Sequence, residues 1–190
     1  MLVRTFLNAI LILASFAAIP GELRSETASS QTLVVHRRFW NQTLNDFANA
    51  SVATNMAAMA AVDGDLIRSA RLLAYAQKFA VSIAAAERDR LPSDWRDRAG
   101  THLSKASVAL GAAADALRLY LARGKVGDLK DAQDQEALAA SELASAAVEA
   151  RSWYAALGGD TRDLESPPHA MQAANAAIAA AMGDTDTDDQ

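Results

Sequence analysis

The chain has 190 residues, no Cys, a formal net charge of −5, and a composition that is 51% hydrophobic but only 6% aromatic. This length suits one domain with a tail, and the missing Cys excludes disulfides, thiol nucleophiles and covalently attached haem. Four acidic residues within 184–190 supply most of the net charge, so the remainder is nearly neutral and lacks the basic surface of a nucleic-acid-binding protein.

The first 21 residues are predicted to be an export signal. Arg4 precedes an apolar run over residues 6–19, which is shorter than the roughly 20 residues of a comfortable membrane span. A retained N-terminal membrane anchor is the alternative interpretation. Either way, we expect an exported protein in the periplasm or outside the cell.

Residues 31–157 are predicted to form one domain of four long helices. Short breaks separate them, at Asp63-Gly64-Asp65, at Leu91-Pro92-Ser93 and at residues 124–127. Asp65 and Asp128 are predicted N-caps, because a carboxylate there accepts the first free N–H groups of a helix. The predicted helices cover residues 31–62, 66–90, 93–123 and 128–157.

The third and fourth helices carry Ala and Leu at steps of three and four, which is the coiled-coil pattern of one helix packed on another. Ala supplies roughly a quarter of the chain and is the best helix former, so small side chains allow close helix packing. The second helix is apolar around most of its circumference, which predicts the most buried helix of the bundle. The third-helix stripe consists of Ala99, Leu103, Ala106, Leu110, Ala113, Leu117 and Tyr120.

These patterns predict an all-α, Ala-rich fold, an up-down-up-down antiparallel four-helix bundle with a short extra C-terminal helix. Residues 158–183 are predicted to be a linker and that short helix, with Ser166 as its N-cap, and residues 184–190 an acidic disordered tail. Because so short a helix is marginal alone in water, its apolar face must be covered. Docking on the four-helix body is one possibility, and partner binding is the one we favour. This predicted partner-binding face consists of Met171, Ala174, Ile178 and Met182.

Two further candidate sites, a carboxylate and a possible haem ligand set, each have a functional and a structural interpretation. Glu136 interrupts the apolar stripe of the fourth helix, either as a buried carboxylate for metal or proton chemistry or as a solvated residue near the helix start. His102 with Met56 and Met59 would be the candidate haem ligands, although His102 lies beside its stripe rather than in it.

Two aromatic features also have two interpretations each. Residues 36–40 combine His36, Arg37 and Arg38 with Phe39 and Trp40 and suit either anionic lipid or a solvated helix face. Trp40, Trp95 and Trp153 are expected to close the ends of the core rather than to form a ligand box.

No catalytic, cofactor-binding or metal-binding pattern occurs in the sequence. It contains no phosphate-binding Gly loop, no Gly-x-Ser-x-Gly and no Glu-x-x-His. We therefore expect a non-enzymatic exported protein that acts through protein–protein interaction or self-association in the cell envelope, without a cofactor. The alternatives are a small-molecule or haem-binding bundle and a membrane-anchored accessory subunit of a larger complex.

Overall fold

The computed structural model describes residues 30–89 and 99–183, and the side chains of residues 30–79 and 99–182. These residues form five α helices and one 3-10 turn, with no strand among them. The predicted export segment, Trp95, the predicted start of the third helix and the acidic tail lie outside the described residues. The helices are α1 Ser30–Val62, α2 Leu66–Asp89, α3 Ala99–Arg123, α4 Val126–Ala156 and α5 Pro167–Gly183, with the 3-10 turn at Thr161–Asp163.

The turn between α1 and α2 forms where the sequence predicts it. Gly64 has a φ of +83°, a conformation that costs little only without a Cβ atom. The Asp65 carboxylate then accepts a 3.0 Å hydrogen bond from the Arg68 N–H, which confirms Asp65 as the cap of α2. Across the pair of helices, the Ser69 hydroxyl donates to the Ala57 carbonyl oxygen at 2.8 Å.

The Ala/Leu stripe of α3 faces the core as predicted. Its members from Ala99 to Leu117 are buried, and Tyr120 packs on the core from a partly buried position. The predicted N-cap of the fourth helix, Asp128, is wrong by three residues. Lys125 is the N-cap residue, and Asp128 lies within the first turn of α4, where the positive end of the helix dipole favours a carboxylate.

The end of α4 is set by two glycines. Gly158 has a φ of +85°, and Gly159 donates its N–H to the Tyr154 carbonyl oxygen at 2.9 Å, which is the hydrogen bond that closes a Schellman motif. A Cβ atom on Gly159 would overlap the Tyr154 ring, so only glycine allows this close approach. The chain then passes through the 3-10 turn into α5, which has Pro167 in its first turn.

The core lies between helices that are neighbours in sequence, and α5 adds to it. Helix α3 packs on α4, α1 packs on α2, and α2 also contacts α3, while α5 packs on α1. Helix α1 has buried side chains along most of its length. None of the helices in the described part of the chain is long and apolar enough to cross a membrane.

The prediction that the second helix is the most buried is wrong for its described side chains. Leu72, Leu73 and Ala76 are buried, but Leu66 and Ile67 are exposed. The two exposed residues form the first turn of α2, directly after the chain reverses at Gly64. Their apolar character therefore does not reflect core packing.

Candidate functional site

The predicted partner-binding face of α5 lies inside the chain's own core. Ala174 and Ile178 are 2% and 0% exposed, and Met171 and Met182 pack on the same cluster from partly buried positions. In the structure α5 packs on α1. The structure therefore contains the intramolecular docking that the sequence left open as the alternative. Partner binding through these four residues stays a prediction, and it would require α5 to leave α1.

The residues considered for haem have different surroundings in the structure. The Nδ1 atom of His102 lies 2.6 Å from Oε2 of Glu142, in an ion pair or hydrogen bond between α3 and α4. Met59 is exposed, while Met56 packs on the core. One ring nitrogen of His102 is therefore engaged by a carboxylate.

The basic and aromatic segment at the start of α1 is divided between surface and core. Arg37 and Arg38 are exposed, whereas His36, Phe39 and Trp40 are buried. The Trp40 ring is fully buried and its Nε1–H donates to the Glu165 carbonyl oxygen at 3.0 Å. Trp153 packs on the core from a partly buried position, as expected of a ring that closes a core.

Glu136 is part of a polar cluster between α1 and α4. The Ser51 hydroxyl and the Asn55 side-chain amide both donate to its Oε1 atom, each at 2.7 Å. Glu136 lies ten residues after Val126, in the third turn of α4, so it is farther from the helix start than the solvated interpretation assumed, and the residue as a whole is partly buried. One turn earlier, Gln133 has a buried Nε2 atom without a hydrogen-bond partner among the described residues.

Burial controls the protonation of Glu136. Removal of its carboxyl group from water raises the pKa from 4.5 to about 8, and the hydrogen bond from Ser51 opposes part of that rise. At neutral pH the group is therefore mostly a neutral carboxylic acid. No group of three or more His, Asp or Glu side chains that could hold a metal ion occurs in the described ranges.

A polar groove of about 570 Å³ opens where α1, α4 and α5 meet the 3-10 turn. Its volume lies within the range of small-molecule sites, although such sites are usually more apolar. The lining includes Arg151 from α4, a residue that the sequence analysis did not single out. The lining residues are Asn41, Arg151, Thr161, Arg162, Asp163, Leu164, Glu165, Ser166 and His169.

The walls of the groove are held by hydrogen bonds over a long sequence separation. The Asn41 side chain accepts from the Glu165 N–H at 2.7 Å and donates to the Asp163 carbonyl oxygen at 3.4 Å. Glu165 also accepts from the Ser166 N–H at 3.2 Å and lies 2.5 Å from Nδ1 of His169. Because Asn41 and Glu165 are 124 residues apart, no local sequence pattern could have indicated this site.

A separate apolar surface lies at the α1–α2 tip, which we define as residues 59–67. Met59, Val62, Leu66 and Ile67 are 44–71% exposed there. Asp63 and Asp65 interrupt the apolar surface, and Arg68 and Arg71 flank it, all of them exposed. Exposed apolar patches rimmed by polar residues are typical of interaction sites.

Comparison of this chain with protein-family models, with curated proteins and with solved structures finds no match. The function must therefore be inferred from the chemistry of the chain itself.

Proposed function

We propose that this protein is a non-enzymatic, exported helical protein that acts through protein–protein interaction in the cell envelope. The proposal of export depends on the apolar run at residues 6–19. The proposal of a non-enzymatic role depends on the lack of any catalytic pattern in the sequence. The observation that carries the interaction is the α1–α2 tip, where four large apolar side chains remain in water.

We propose a second copy of this chain as the partner at the tip. In a two-fold dimer the same patch meets itself, so it must be complementary to its own charges. Asp63 and Asp65 lie close in sequence to Arg68 and Arg71, and all four are exposed, so each copy offers both charge signs to the other.

The size of the tip indicates a weak dimer. Stable complexes bury about 800 Å² on each partner, which is more than a few side chains at one helical turn provide. We therefore expect a monomer–dimer equilibrium with a dissociation constant between about 1 μM and about 1 mM, equivalent to about −8 to −4 kcal/mol.

Sedimentation of the purified protein over a range of concentrations tests this association. Ile67→Asp places a charge in the tip and should leave only monomer at every concentration. Val108→Asp is the matched control, because Val108 on α3 and Ile67 are both 71% exposed, and it should dimerise like the unchanged protein. A protein that stays monomeric up to about 1 mM, or equal dimerisation of both variants, would exclude the tip as the interface.

We also propose that α1 to α4 run up-down-up-down as a four-helix bundle. Support comes from the short turns at residues 63–65 and 124–125, since short connections favour antiparallel neighbours. Further support comes from the hydrogen bonds of Ser51 and Asn55 with Glu136, which join the second half of α1 to the first half of α4, as antiparallel helices would.

A further inference from the structure

We propose that the groove between α1, α4 and the start of α5 binds a small carboxylate through the Arg151 guanidinium group. This inference is independent of the interaction at the α1–α2 tip, which involves other residues at the α1–α2 turn.

Arg151 is the cation of the groove that lacks a protein partner among the described residues. Its Nε atom is buried without a hydrogen-bond partner, and the side chain forms no ion pair with the described residues. The side chain as a whole is partly exposed, and its Nη groups are not among the enclosed, unpaired atoms, so a ligand in the groove would accept from those groups rather than from Nε. A hydrogen bond to a charged donor contributes more than one to a neutral donor.

The other charged groups of the groove already have partners. Arg162 forms an ion pair with Asp160, at 2.5 Å between Nη2 and Oδ2, and this pairing lowers the pKa of Asp160 to about 2. Asp163 lies 3.8 Å from the Arg37 guanidinium group. Glu165 is engaged by the Ser166 N–H and by His169. Arg151 is therefore the residue that a ligand would neutralise.

The charge balance of the groove argues against a ligand with more than one negative charge. The lining carries two guanidinium groups, Arg151 and Arg162, and two carboxylates, Asp163 and Glu165, so their formal charges cancel and any anion must be attracted by Arg151 itself. A dianionic phosphate would bring a second charge towards Asp163 and Glu165, which line the same groove. The planar guanidinium fork also matches the two oxygens of a carboxylate.

The polar lining further restricts the ligand to a small and hydrophilic molecule. Leu164 is the one apolar side chain among the lining residues, and it is buried. Thr161 and Ser166 bring hydroxyl groups that can donate to the ligand or accept from it. A carboxylate with a further polar substituent, such as a hydroxy acid, fits this lining better than a fatty acid.

The proposal is tested by nuclear magnetic resonance on the nitrogen-15-labelled full chain at constant ionic strength. The Nε–H signal of Arg151, identified by its loss in Arg151→Gln, is followed during separate titrations with glycolate, with inorganic phosphate and with chloride. Glycolate should shift it saturably, phosphate more weakly, and chloride not at all. Failure of glycolate to shift the signal saturably would overturn the proposal, and tighter binding of phosphate would overturn its assignment to a carboxylate.

Variants of the two groove arginines provide the matched control. The backbone N–H signals of Thr161 and Ser166 report glycolate binding in each variant, and circular dichroism confirms the helical fold. Arg151→Gln should weaken binding at least about tenfold, since a charge-assisted hydrogen bond is lost. Arg162→Gln should bind like the unchanged protein, and Arg151→Lys should lie between the two. Equal weakening by the two glutamine variants would show that general charge, not Arg151, attracts the anion.

Discussion

Glu136 occupies a stripe position on α4 where the surrounding members are Ala and Leu. Its neighbours along the stripe, Ala132 and Ala139, are buried, and α1 provides two donors, Ser51 and Asn55, to one of its oxygens. Donors favour the ionised carboxylate and burial favours the neutral acid, and here burial dominates, with a pKa of about 8. The residue is therefore placed where ionisation opposes folding.

This raised pKa predicts how stability depends on pH. In the unfolded chain Glu136 ionises near pH 4.5, whereas in the folded chain it retains its proton up to about pH 8. Between these values the folded state binds more protons, so the free energy of unfolding should fall as pH rises, by up to about 1.4 kcal/mol per pH unit. This contribution is fully present below pH 4.5 and is lost above about pH 8.

Denaturant unfolding of Glu136→Gln from pH 5 to pH 8 measures this contribution. A neutral amide cannot ionise, so the variant should lose the downward slope and become more stable than the unchanged protein near pH 8. Glu149→Gln makes the same chemical change at a partly buried position of α4 outside the cluster, and it should retain the slope. Parallel curves for the unchanged protein and Glu136→Gln would show that this carboxyl group ionises freely in the fold.

Local sequence patterns predicted the helices better than they predicted the polar cluster at Glu136 or the groove. Asp65 capped α2 as expected and the Ala/Leu stripe of α3 is buried, because caps and heptads are local properties of the chain. The partners of Glu136 lie 81 and 85 residues away, and the groove combines segments from four parts of the chain. Such groups become neighbours only through packing, which a local pattern does not encode.

At the scale of elements, the apolar stripe of α5 was identified correctly, and α1 covers it in the structure, while binding of a separate partner stays a prediction. The sequence shows that Ala174 and Ile178 need cover, yet it contains nothing to distinguish α1 from a separate partner. The first turn of α2 differs from α5, because its apolar residues suggested a core helix but are exposed in the structure. Hydrophobic periodicity indicates that a helix face is apolar. Whether that face is buried in the core or remains exposed for binding depends on how the helices pack.

The docking of α5 on α1 predicts unequal costs for one substitution at two positions. Ile178→Ala removes a side chain that is 0% exposed and should lower the free energy of unfolding by about 2–5 kcal/mol. Ile67→Ala changes an exposed isoleucine of α2 and should cost less than about 0.5 kcal/mol. Denaturant unfolding of both variants gives the comparison. If Ile178→Ala costs as little as Ile67→Ala, α5 does not contribute to the core in solution.

At the scale of the whole molecule, the relative direction of the helices can be tested with one spin label. Because the chain has no Cys, Ser152→Cys near the end of α4 provides a single attachment point. In the proposed up-down-up-down bundle, the label should broaden the Trp40 indole N–H signal and spare the Gly64 amide. Those two groups are about 36 Å apart along α1, at about 1.5 Å per residue.

The diamagnetic form of the same label supplies the reference spectrum for each signal. The Gly124 amide should also be spared, because it lies beyond the opposite end of α4. Broadening of Gly64 with retention of the Trp40 signal would show that the end of α4 lies beside the α1–α2 turn, which would contradict the proposed topology.

The hydrogen bond between Trp40 and Glu165 has a consequence for the order of folding. It joins residues 125 apart and closes almost the entire described chain into a loop. Closing so long a loop costs more conformational entropy than forming the turns between consecutive helices, so we expect the α1–α2 and α3–α4 pairs to associate first. The groove would then exist only after the last step of folding. A ligand bound there would favour the closed chain over every earlier intermediate and would slow its opening.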